Sequence, residues 1–168
     1  MSESFELPSV DSITFGTVGE PGQRVFYVQA RSGATMVTIK AEKQQVSGLA
    51  AALRALLADL PPLPDVLTIT APELVEPVEA PWAIGGIGLS AFEEVTQRVT
   101  LLLEELVPEE EAAEAASARF GLTMPQMRAL AERAEVLVAG GRPPCPLCGN
   151  PMNPDGHACP KTNGHLSH

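Results

Sequence analysis

Apolar and polar residues alternate along this chain with two different periods, and each change of period marks an element. Residues 12–19 (SITFGTVG) and 24–31 (RVFYVQAR) are apolar, β-branched and aromatic. They flank EPGQ, where Pro21 and Gly22 suit the two central positions of a type II turn, so the pair predicts a β-hairpin. After a turn at Ser32 and Gly33, ATMVTIK sets Met36, Thr38 and Lys40 against Val37 and Ile39, the alternation of a half-buried third antiparallel strand. From Glu42 the period lengthens: Val46, Leu49, Ala50, Leu53, Leu56, Leu57 and Leu60 fall on one face of a helix that Pro61 to Pro64 must stop.

The proline-rich, acidic stretch 66–79 contains VLTIT, which reads as one further strand. Residues 90–107 admit two readings. A helix would gather Phe92, Val95, Val99, Leu102, Leu103 and Leu106 on one face, with Ser90 and Glu93 as a capping box. Two strands, WAIGGIGLSAF and QRVTLLLEEL, fit equally well. An internal echo favours the strands: Gln23-Arg24-Val25 and Gln97-Arg98-Val99 each open an apolar segment, followed by a short strand (VTIK, then ARFGL) and an amphipathic helix near Gln44 or Gln126. Thr123 and Gln126 form a capping box for the second helix, Pro125 sits in its tolerant first turn, and Gly140-Gly141 closes it. The expected architecture is α+β. Two tandem βββα units, residues 10–60 and 80–139, form antiparallel sheet covered by two helices within a domain 1–139, and a small tail follows at 140–168. PEEEAAEAAS (108–117) reads as a solvated loop or helical excursion.

Composition narrows the function. With 168 residues, 45% of them apolar, the chain can build one core and a small appendage. A formal charge of −10 argues against nucleic acid as a partner, because that binding replaces counterions with lysine and arginine. No positively charged segment leads into an apolar stretch after Met1, and no apolar run reaches the roughly 18 residues of a membrane span. A soluble, cytoplasmic protein is expected.

All three cysteines and two of the three histidines lie in CPLCGNPMNPDGHACPKTNGH, 145–165. Cys145 and Cys148 form a CPxCG knuckle that aims two sulfurs at one point. His157 and Cys159, two apart, face one side of an extended backbone and complete a four-ligand set, with His165 as the substitute fourth ligand. Thiolate and imidazole suit zinc, and iron with the same ligands stays open. Four ligands so close together predict a closed, structural site rather than a catalytic one. A zinc deaminase also needs an upstream H-x-E, which is missing, and a redox CxxC would open a helix after a strand.

Elsewhere the chemistry is sparse. Gly86-x-Gly88-x-x-Ala91 has the form of a dinucleotide loop, but the strand reading leaves no helix to follow it. Residues 1–139 contain neither His nor Cys, so no catalytic residue is assigned there. Arg24 and Arg98, matched by the echo, are candidates for lining a groove that takes an anion.

FGTVGEPGQRVFYVQAR, the EKQQV helix start and RPPCPLCGNPMNPDGHACPKTNGH together resemble an uncharacterised bacterial "repeat protein" family, a domain of unknown function with a CPxCG...GHxCP tail. The resemblance implies β-strands in the middle region and carries the metal ligands to Cys145, Cys148, His157 and Cys159. It also implies a process shared with a histidine-phosphatase-like and a lipid-kinase-like protein, encoded near members of the family. The leading expectation is a non-enzymatic, zinc-binding adaptor or regulatory protein with a protein partner. The alternative is an enzyme or sensor that binds a small phosphorylated or anionic ligand between the two repeats.

Overall fold

In the computed structural model, which describes residues 2–20 and 22–139 and the backbone of 157–158 and 166–167, the predicted hairpin closes as its turn residues require. Gly22 sits at φ +89° and the Glu20 carbonyl accepts from Gln23 N–H at 2.9 Å. A positive φ at the third position is what a type II turn demands and what glycine adopts without strain.

The elements run β1 (Phe5–Leu7), β2 (Ser12–Val18), β3 (Val25–Ser32), β4 (Thr35–Ala41), α1 (Lys43–Ala58), β5 (Ile84–Leu89), β6 (Arg98–Glu105), β7 (Ser117–Thr123), α2 (Met124–Ala139), then β8 (His157–Ala158) and β9 (Leu166–Ser167). β2, β3 and β4 form an antiparallel sheet, β1, β7, β6 and β5 a second one in that order, and β8 pairs with β9. The fold is therefore mixed α+β, with two main sheets and two main helices. The sheets approach each other at two seams. Lys40 N–H donates to the Trp82 carbonyl at 3.2 Å, and Val10 N–H donates to the Gly121 carbonyl at 3.2 Å.

Strand alternation and helical spacing deliver one core. Phe15, Val28 and Ile39 come from the first sheet, Leu101, Leu103, Phe120 and Leu122 from the second, and Leu53, Met127 and Leu130 from the helices, all below 2% exposed. Each such side chain contributes about 1.5–3 kcal/mol by leaving water. α1 and α2 lie side by side, joined by a bidentate pair in which Arg54 donates to both Glu135 oxygens at 3.0 and 2.7 Å. α1 ends at Ala58, two residues short of the prolines. Among the described residues no helix is long and apolar enough to cross a membrane.

Residues 84–89 and 98–105 are strands joined by a turn, not a helix: Ser90 Oγ accepts from Thr100 N–H at 2.8 Å across the β5–β6 hairpin instead of capping a helix. β5 is followed by antiparallel β6, with a register shift between Ile84 and Gly86, so its glycines belong to a bulged strand rather than a phosphate loop. Two features depart from expectation. β1 pairs with β7 in parallel, in a fold expected to be antiparallel throughout. VLTIT is not a strand: Asp65–Leu67 makes one 3-10 turn, and the chain then runs extended without a ladder.

The segment is held instead by side chains. Gln29 Nε2 donates to the Val75 carbonyl at 3.1 Å and Gln29 Oε1 accepts from Val75 N–H at 2.8 Å, so an amide side chain takes the place of a neighbouring strand. Leu74 fills the space above Gly16, where a Cβ would lie 2.2 Å from Leu74 Cγ. The stretch 108–117 contains a 3-10 helix, Glu109–Glu114.

Candidate functional site

Three cations from three elements surround one cavity of about 400 Å³. Arg24 follows the Gly22 turn and precedes β3. Lys40 lies on β4 between buried Ile39 and Ala41, so strand alternation sends it outward. Lys43 is the first residue of α1. Val25, Phe26, Ala41 and Leu137 supply apolar wall, and Glu42, the residue that caps α1, is the one carboxylate of the lining. Among the described residues neither Lys40 nor Lys43 belongs to an ion pair. The sequence reading named Arg24 and missed both lysines. The available signal was scarcity: the chain has three lysines, and two of them line this cavity.

Arg98 lines a different cavity, also about 400 Å³, with Arg119, Glu6, Glu93 and the hydroxyl residues Ser9, Ser90, Thr96 and Thr100. Two arginines and two glutamates cancel formally. Arg98 donates from Nη1 to the Thr96 carbonyl at 3.2 Å, while its buried Nε has no hydrogen-bond partner among the described residues. Arg24 and Arg98 are thus not brought together. A one-residue offset contributes: Phe26 pairs with Ala41, just before the α1 cap Glu42, whereas Val99 pairs with Leu122, just before Thr123. By pairing, Arg98 corresponds to Val25 rather than Arg24, and in a strand one residue changes the face.

The strongest perturbations of charge lie outside both cavities. Glu105 is held below the ordinary carboxylate range, first by the Ser2 hydroxyl and then by the Ala116 amide. Glu135 is held low by its hydrogen bond from Arg54. Glu105 meets the Ser2 hydroxyl and Glu135 meets Arg54, and residues 1–139 contain no His or Cys to complete a Ser-His or Cys-His arrangement. Among the described residues no group of three or more His, Cys, Asp or Glu is arranged to hold a metal. Of the expected ligands, Cys145, Cys148 and Cys159, with the substitute His165, lie outside the described residues, and His157 enters only through its backbone in β8.

No curated protein and no solved structure matches the chain. A family model described as "Protein of unknown function (DUF3090)" matches residues 5–159, and the chain belongs to that family.

Proposed function

We propose that this family member is a non-enzymatic adaptor or regulatory protein whose C-terminal segment is closed on a structural zinc by Cys145, Cys148, His157 and Cys159, and which presents that segment to a protein partner. The observation that carries the reading is the return of the tail on itself. β8 and β9 pair antiparallel, His157 opposite Ser167 and Ala158 opposite Leu166. Two-residue strands do not hold a hairpin together in water. A cross-link beside them does, and a tail too short for its own core gains that order from metal binding worth on the order of 10 kcal/mol. The family match ends at Cys159, which supports His157 over His165 in the ligand set.

Elemental analysis of the full-length protein tests this. About one zinc per chain is expected, lost in Cys145→Ser and Cys148→Ser and retained in His165→Ala. A metal-free native protein sinks the zinc reading. A stoichiometric partner recovered equally with wild type and Cys145→Ser sinks the docking role of the tail.

The domain itself is proposed to be a duplication, β2-β3-β4-α1 followed by β5-β6-β7-α2. Corresponding pairings support it: Phe15 opposite Val28 matches Leu89 opposite Leu101, and Val28 opposite Ile39 matches Leu101 opposite Phe120. An experimental structure in which 10–60 and 80–139 fail to superpose with those pairings would overturn it.

The alternative role, an enzyme or sensor taking a small anion between the units, finds support at Arg24 with Lys40 and Lys43 rather than at Arg24 with Arg98.

A further inference from the structure

We infer that the cavity walled by Arg24, Lys40 and Lys43 binds a small organic phosphate, its phosphate group held by the three cations and its body resting on Phe26 and Leu137. The inference deepens the small-anion reading and rests on it, and it is independent of the zinc tail.

Charge is the first argument. The chain carries −10 overall, yet this one cavity gathers three of its eleven lysines and arginines against a single carboxylate. Local excess of that sign in an acidic protein concentrates a small anion, while the net charge repels a long polyanion. Arginine matches phosphate oxygens with a planar fork and lysine adds a point charge, so the set suits a group bearing two or more negative charges better than a single carboxylate.

Size is the second. A volume of about 400 Å³ falls in the range of small-molecule sites and exceeds what bare phosphate fills. Apart from Glu42, the remaining wall is apolar, which fits the body of an organic ester. Val25 and Ala41 widen that surface beside Phe26 and Leu137.

The third is an internal comparison. Gln45 and Gln126 each accept from the backbone N–H of the residue three positions earlier, Glu42 and Thr123, at 2.8 and 2.9 Å. In that register Gly121 stands where Lys40 stands, and Met124 where Lys43 stands. The same strand-to-helix junction therefore forms without either lysine. Their presence at one junction is not a requirement of the fold, and charge is what they add.

Calorimetric titration of the full-length protein with inorganic pyrophosphate, a probe of the charged part of the site, tests this. Saturable binding is expected, weakening as ionic strength rises. Lys40→Gln with Lys43→Gln should weaken it at least about tenfold. Arg31→Gln, an exposed cation outside the cavity, should leave it within about twofold. Both lysine side chains are exposed, and an unchanged urea midpoint would establish that the double variant folds. Binding insensitive to the lysines but abolished by Arg98→Gln or Arg119→Gln overturns this site and leaves the small-anion reading standing. Equal losses in the double variant and Arg31→Gln overturn it as diffuse charge. Absence of any saturable binding overturns both.

Discussion

Gln45 and Gln126 perform the same task at two junctions of the fold. Each side-chain oxygen takes the backbone N–H that precedes its helix, Glu42 for Gln45 and Thr123 for Gln126. Each side-chain nitrogen then donates to a carbonyl of the other sheet's chain, Ile84 at 2.9 Å and Val10 at 2.8 Å. One amide thus starts a helix and ties it across the seam between sheets. Because both ends are used, no isosteric apolar side chain replaces it.

Gln126, only 8% exposed, is the more costly to lose. Gln126→Leu is expected to destabilise by about 1–3 kcal/mol, the cost of leaving the Val10 carbonyl and Thr123 N–H without a partner. Gln45→Leu, at a half-buried position, should cost about 1 kcal/mol. Urea denaturation monitored by circular dichroism gives both values, and a reversed order would contradict this account.

Two glycines should respond to alanine with opposite signs. A Cβ on Gly121 would lie 1.8 Å from the Pro8 carbonyl oxygen, so Gly121→Ala must move backbone at the β7 seam. Its cost should reach about 2–3 kcal/mol or prevent folding. Gly48, inside α1 with nothing within 4 Å of that position, should gain about 0.5–1 kcal/mol as alanine. Melting curves of the two variants check the contrast.

Gln29→Ala removes both bonds to Val75 and the donation to Thr38 Oγ1 at 3.0 Å. A loss of about 1–3 kcal/mol is expected from this buried site. Faster proteolysis should accompany it, with first cuts in 61–81, since that segment has no strand partner among the described residues to keep it in place. Unchanged cleavage kinetics would show that Leu74 over Gly16, with the Arg133–Glu73 pair at 2.9 Å, suffices to hold it.

Arg54 and Glu135 give a test in pH. The guanidinium lowers the Glu135 carboxyl below its ordinary value, so the folded state binds that proton less readily than the unfolded chain. Its stabilisation is complete above the unfolded value of about 4.3 and disappears as pH falls through the lower folded value. Both side chains are more than 40% exposed, which limits the pair to about 0.2–1 kcal/mol. Glu135→Gln should therefore lower the urea midpoint slightly at pH 7 and leave it equal to wild type in strong acid. A difference that persists in acid would assign the effect to packing.

Much of the fold was readable because its signals are local. The EPGQ turn needs only Pro21 and Gly22, and the start of α2 needs only Thr123 and Gln126, each of whose side chains accepts from the other's backbone N–H three residues away. The choice of strands over a helix for 84–105 rested on a three-residue echo; the segments were correct, although pairing sets Arg98 one residue away from the echo's match. β1 was not legible. FEL is too short to declare a period, and its partner Ala118 to Phe120 lies far along the chain. VLTIT looked like a strand because its composition is that of one. Composition cannot say whether a strand partner will be met, and 66–70 joins no ladder among the described residues.

The sequence by itself determined most of the elements, the EPGQ turn, the cap of α2, and a tail built of metal-ligand residues, since each depends on residues within a few positions of one another. Tertiary structure alone decided that Arg24 stands with Lys40 and Lys43 and apart from Arg98. It also decided that Gln29 serves as the missing strand beside Val75, and that Gln45 and Gln126 reach across a seam. Those relations join residues tens of positions apart, and their partners are chosen by which faces the core buries. No periodicity read along the chain contains that information.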